Sequence, residues 1–120
     1  MKTILVVDDD PVSRGLIRDI LAFQSYDILE ADSGQQALDM IEHKPPDLVL
    51  MDLQMPRLDG YQVLARLRRN LRIPTIPIAA VTALAMPSER EKALSMGFNA
   101  FITKPINPAS LRFEVRTLLG

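Results

Sequence analysis

The chain has 120 residues, 48% of them hydrophobic and 24% charged, with a formal net charge of −1 and a pI near 5.8. That is enough apolar material for one domain with its own core, and the near-neutral balance argues against a partner such as nucleic acid, bound by broad phosphate neutralisation. The absence of cysteine excludes disulfide scaffolds, thiol catalysis and cysteine-based metal sites, and no stretch reads as a signal peptide or membrane span, so the cytoplasm is the expected compartment.

The first element is a β-branched apolar run, Lys2-Thr3-Ile4-Leu5-Val6-Val7, which empties into Asp8-Asp9-Asp10-Pro11. Asp10 followed by Pro11 predicts a helix start, because Asp caps free amides and proline suits the first helical position. The spacing places Val12, Leu16, Ile17, Ile20 and Leu21 on one inward face of that helix. Tyr26 to Ala31 reads as a second strand, and Ser33-Gly34-Gln35-Gln36 as a capping box opening a helix that buries Ala37, Leu38 and Ile41. His43, the only histidine, closes that helix and reads as a solvated residue set against the carbonyl dipole.

Leu48 to Met51 is apolar without alternation, as a parallel strand covered on both faces should be, and it delivers a single acid, Asp52. A loop through Gln54, Met55, Pro56, Asp59 and Gly60 leads to a third helix marked by Tyr61, Val63, Leu64 and Leu67. Arg66, Arg68, Arg69 and Arg72 crowd its far end, where the helix dipole is reason enough for them. Ile78 to Val81 is the fourth strand, ending on Thr82, and Ser88 to Met96 the fourth helix, closed by Gly97. Ala100 to Thr103 is the fifth strand, ending on Lys104-Pro105, and Asn107-Pro108 starts a last helix with Leu111, Val115 and Leu118 inward. Five strands alternating with five helices predict one α/β domain: a doubly wound, flavodoxin-like parallel sheet.

The polar candidates all fall at strand carboxyl ends: Asp8 and Asp9, then Asp52, Thr82 and Lys104. In open α/β sheets ligands bind at that edge. With strand order 2-1-3-4-5, the first and third strands are neighbours and their acids share a crevice. At an effective dielectric near 20, each close pair of carboxylates costs about 4 kcal/mol, so the cluster calls for a cation. An all-oxygen site of this kind suits Mg²⁺, and Lys104 with the Thr82 hydroxyl suits phosphoryl oxygens.

Leu5-Val6-Val7-Asp8-Asp9-Asp10, Asp52-Leu53-Gln54-Met55-Pro56 with Asp59-Gly60, Val81-Thr82-Ala83 and Lys104-Pro105 together resemble the receiver domain of two-component response regulators. The resemblance covers residues 1–120. It implies that Asp52 accepts a phosphoryl group, that Asp8, Asp9, Asp52 and the Gln54 backbone carbonyl hold Mg²⁺, and that Thr82 and Lys104 bind the phosphoryl oxygens. It also implies a cis Lys104-Pro105 bond and casts Phe101 as a switch aromatic that turns inward when Thr82 is pulled toward the phosphoryl group. Many receivers carry tyrosine at that position and asparagine at the position of Gln54.

The expected partners are a histidine kinase or histidine phosphotransfer protein as donor and an output domain or effector downstream, with a phosphorylation-dependent homodimer as one form of output. The fourth helix, fifth strand and fifth helix form the face expected to change. The expected role is a switch that assists its own aspartyl phosphorylation and dephosphorylation, rather than a dedicated enzyme. The rival readings are a Mg²⁺-dependent phosphohydrolase with Asp52 as nucleophile, a nucleotide-binding module, and an unphosphorylated adaptor. The chain has no segment for a substrate lid and no glycine-rich phosphate loop, and every expected site residue is present, which disfavours all three.

Overall fold

Each strand is followed by a helix that returns the chain to the same edge, so all five strands run parallel. In the computed structural model, which describes residues 1–120, β1 (Lys2–Val7), β2 (Tyr26–Ala31), β3 (Leu48–Asp52), β4 (Ile78–Thr82) and β5 (Ala100–Thr103) pair in the order β2-β1-β3-β4-β5. The crossovers are α1 (Pro11–Leu21), α2 (Gly34–His43), α3 (Gly60–Arg69), α4 (Pro87–Ser95) and α5 (Pro108–Leu119). This is the flavodoxin-like order 2-1-3-4-5, which sets the first and third strands side by side.

The absence of alternation in the central strands has its cause in two cores. One sheet face carries Ile4, Val6, Leu48, Leu50, Ala79 and Val81 against Ile17, Ile20 and Leu21 of α1 and Leu111 and Val115 of α5. The other carries Leu5, Val7, Val49, Met51, Ile78 and Ala80 against residues of α2, α3 and α4. Every residue of β3 and β4 is buried. A fully buried Leu50 or Ile17 contributes about 1.5–3 kcal/mol, and this two-sided burial fixes the register on which the polar strand ends depend.

Helix starts follow the sequence. Asp10 accepts from the Val12 amide ahead of Pro11, and Asn107 accepts from the Ser110 amide ahead of Pro108. Gly97 has φ +114° beyond the last turn of α4, the left-handed conformation that favours glycine there.

Four local expectations are corrected. Val12 and Leu16 are 77% and 48% exposed instead of buried. At about 100° per residue, the stripe set by Ile17, Ile20 and Leu21 leaves Val12 on the far side of the helix and Leu16 on its flank. At α2 the Ser33 hydroxyl accepts from the Gln36 amide as expected, but Gln36 Oε1 accepts from the amide of Asp32, one residue outside the box. The reciprocal capping box belongs instead to α3, between Asp59 and Gln62, so that helix begins at Gly60. Arg72 lies beyond α3, and Arg68 does more than complement the dipole. It donates to the Ile76 carbonyl at 2.9 Å and to Asn99 Oδ1 at 3.1 Å, tying the approach to β4 to that of β5, and burial holds its guanidinium below the usual value.

Candidate functional site

The acids come together because β1 and β3 are adjacent and in register, Val7 beside Met51, which sets Asp8 next to Asp52 where both strands end. Both are buried, Asp8 at 1% and Asp52 at 5% exposure, while Asp9 faces solvent. Asp8, Asp9 and Asp52 each offer a carboxylate oxygen within 4.8 Å of the others.

The same local device shapes three strand ends. A side-chain oxygen takes the amide two residues on: Asp8 Oδ1 from Asp10 at 2.9 Å, Asp52 Oδ1 from Gln54 at 3.1 Å, and Thr82 Oγ1 from Leu84 at 3.1 Å. These turns stop the strands and fix one oxygen of each side chain, and in Asp8 and Asp52 they leave the second carboxylate oxygen toward Lys104. Gly60 closes the floor. A Cβ there would lie 2.7 Å from the Asp52 carbonyl oxygen and 3.0 Å from Leu53 Cα, so only glycine lets α3 approach the end of β3 this closely.

Lys104 enters from β5. Its amide donates to the Thr82 carbonyl at 2.8 Å, and its Nζ donates to Asp8 Oδ2 at 2.9 Å and lies 3.8 Å from Asp52 Oδ2. The lysine thus compensates Asp8 more closely than Asp52. Burial pushes the Asp52 carboxyl up to about 6, and the neighbouring Asp8 adds to the rise, against the Gln54 amide and Lys104, which pull it down. A buried carboxyl so reluctant to ionise is short of positive charge. An all-oxygen cluster of this size therefore fits a hard divalent cation such as Mg²⁺, which gathers few carboxylates and keeps several waters.

Of the predicted residues, Asp8, Asp9, Asp52 and Lys104 share one crevice. Gln54 borders it, exposed, through its amide. Thr82 is fully buried, with its hydroxyl turned to its own loop. Phe101 is buried at 8% exposure in the core under α2, α3 and α4, so in this conformation the ring is already inward. The Lys104–Pro105 bond is cis.

Residues 4–116 match the family model described as the response regulator receiver domain. The chain belongs to that family. It is 39% identical over 108 residues to a 14.6 kDa protein from Leptolyngbya boryana, covering 90% of this chain and 82% of that one. It is 34% identical over 119 residues to the polar-differentiation response regulator DivK of Brucella ovis, covering 99% and 97%. Among solved structures, the receiver domain of a sensor histidine kinase from Pseudomonas aeruginosa PAO1 superposes with a TM-score of 0.89 at 33% identity, covering 99% of this chain and 98% of that one. That crystal has a magnesium ion coordinated in its active site cleft. Receivers are signalling switches of two-component systems, with aspartyl phosphorylation and Mg²⁺ binding in the acidic site as family features. No helix of this receiver is long and apolar enough to cross a membrane.

Sequence reasoning missed one pair beside the site. Arg14 Nη1 donates to the Asp8 carbonyl at 2.8 Å, and its Nε to Glu30 Oε1 at 3.0 Å. The signal available was Glu30 itself, an acid at the place where the alternation Tyr26, Ile28, Glu30 calls for an inward residue.

Proposed function

We propose that this receiver takes a phosphoryl group from a phosphohistidine donor onto Asp52 and relays the change to the face formed by α4, β5 and α5. The observation that carries this reading is a buried Asp52 beside Asp8, with one ammonium group reaching both carboxylates at 3.8 and 2.9 Å.

An Asp52 carboxylate oxygen forms the new bond to phosphorus while the donor's P–N bond breaks. The departing imidazole keeps the bonding pair and takes a proton from water. Mg²⁺, held by Asp8, Asp9, Asp52 and the Gln54 backbone carbonyl, would supply charge neutralisation for the phosphoryl oxygens. Lys104 is already aimed at the crevice and transfers its Nζ from Asp8 to a phosphoryl oxygen. Thr82 Oγ1 accepts from the Leu84 amide, which leaves its own proton free to donate to the phosphoryl group. The domain thus contributes positioning and electrostatics to its own modification and turns over no external metabolite.

The donor's approach is supported by a cavity of about 210 Å³ beside Lys104, lined by Ser13, Leu16, Lys104, Pro105 and Ile106, with exposed Val12 nearby on α1. The output face is supported by the chain of contacts beyond Thr82. A pull on its hydroxyl is felt by the Leu84 amide, and the loop continues through exposed Leu84 and Met86 into α4, which buries only Ala93. Phe101, already inward, would hold the rearranged face instead of creating it.

Acetyl phosphate or a phosphorylated kinase, in the presence of Mg²⁺, should give one phosphoryl adduct by intact-mass measurement. The adduct should be absent in Asp52→Asn and in excess chelator. An adduct persisting in either case overturns the assignment.

A further inference from the structure

The ladder of β1 ends at Val7, and the first carbonyl beyond it, that of Asp8, is taken by Arg14 of α1 at 2.8 Å. The same guanidinium binds Glu30 Oε1 at 3.0 Å, and Glu30 Oε2 accepts from Arg18 Nη1 at 3.1 Å. Arg14 is 18% and Glu30 30% exposed along their side chains, so the pair is partly withdrawn from water. Glu30 stands on β2 opposite Val6, two residues from Asp8 on the neighbouring strand, on the sheet face that otherwise packs Tyr26 and Ile28.

We propose that Arg14, oriented by Glu30, is a positioning residue for the metal site: it fixes the peptide of Asp8 and so sets the direction in which that carboxylate is offered to Mg²⁺. The proposal rests on the reading of Asp8, Asp9 and Asp52 as the Mg²⁺ site. The Asp8 side chain hangs from the peptide that Arg14 grips, and its Oδ1 is already held by the Asp10 amide at 2.9 Å. With the carbonyl and one carboxylate oxygen both fixed, Asp8 presents one orientation, and partners behind metal ligands commonly govern affinity in this way. A planar guanidinium can bind a carbonyl and a carboxylate at once in fixed geometry, whereas an ammonium group cannot reproduce that fork.

Charge alone predicts the opposite outcome, which makes the proposal testable. Removing a cation near three carboxylates should raise affinity for Mg²⁺, while removing a positioning residue should lower it. Calorimetric titration of metal-free protein with Mg²⁺ should show affinity reduced about tenfold in Arg14→Met, hardly restored in Arg14→Lys, and reduced in Glu30→Gln with no additive loss in the double variant. Arg18→Met, which touches Glu30 but not Asp8, should bind nearly as wild type. In the metal-free state the ¹⁵N resonance of Asp9, whose amide shares a peptide with the Asp8 carbonyl, should move in Arg14→Met and stay in Arg18→Met. Affinity that is unchanged or higher in Arg14→Met, beside tight wild-type binding, overturns the clamp alone. Wild-type protein that binds no Mg²⁺, or Asp52→Asn that binds equally well, overturns the site reading on which the clamp rests. Should Arg14→Met fail to fold, Arg14→Lys decides: it keeps the charge and loses the fork, so wild-type affinity together with an unmoved Asp9 resonance overturns the clamp.

Discussion

Arg57 shows at the scale of one residue how a loop beside the site is held under strain. It is the one non-glycine residue with positive φ, at +68°, in the turn between β3 and α3 that Gly60 closes against Asp52. For an L-residue with a long side chain this left-handed conformation costs about 1–2 kcal/mol, while asparagine enters it more readily. Arg57 is exposed, so its side chain offers no packing in return. Arg57→Asn should therefore stabilise the domain by about 0.5–1 kcal/mol, read as a higher urea midpoint with an unchanged slope. A midpoint equal to or below wild type would show that the neighbouring loop already absorbs the strain.

At the scale of elements, α4 is the weakly anchored helix. It starts at Met86, which provides no side-chain cap, and buries Ala93 alone, whereas α1 buries Ile17, Ile20 and Leu21. Besides Ala93, which joins the core, one cluster ties it to α3: Lys92 Nζ lies over the Tyr61 ring at 4.6 Å and the Tyr61 hydroxyl points toward Glu89 at 3.4 Å, while Tyr61 is edge-on to Phe98 just beyond the helix. Amides of α4 should exchange with solvent well before those of α1. Met86 already has the extended backbone of an N-cap, so Met86→Ser should add about 1 kcal/mol to the helix and slow that exchange roughly fivefold. Equal protection of α1 and α4 in the wild type would contradict the ranking. The same contrast explains what the sequence made legible. Continuous apolar runs marked the strands, the receiver-like fold supplied their order, and the resulting register brought Asp8, Asp9, Asp52 and Lys104 to one crevice. The rotation of α1 on the sheet was hidden, because Val12 and Leu16 fit a helical period that Ile17, Ile20 and Leu21 override. With that rotation unknown, the bridge from Arg14 to Glu30 and Asp8 could not be read. Conformation-dependent facts, such as the Thr82 hydroxyl facing Leu84 and Phe101 lying inward, leave no trace in residue spacing.

For the molecule as a whole, the site carries a stability cost whose sign can be worked out from Asp52. Its carboxyl is raised from 3.8 to about 6, first by burial and then by Asp8. Between those values the folded chain keeps a proton that the unfolded chain releases, so the folded state binds more protons and stability falls as pH rises through the window. A shift of this size corresponds to about 2–3 kcal/mol of destabilisation once Asp52 is ionised. Asp10, lowered mainly by its hydrogen bond from Ser13, works in the opposite direction but is solvent-exposed and adds little. Subtracting the stability curve of Asp52→Asn from that of wild type isolates the acid. In metal-free buffer the variant should match wild type near pH 4 and exceed it by about 2 kcal/mol above pH 7. Adding Mg²⁺ should then stabilise wild type at the higher pH, where the carboxylate is free to bind it, and do little near pH 4. A difference curve that is flat with pH would mean that Asp52 ionises in the folded chain as readily as in water, and the crevice would lose its claim on a cation.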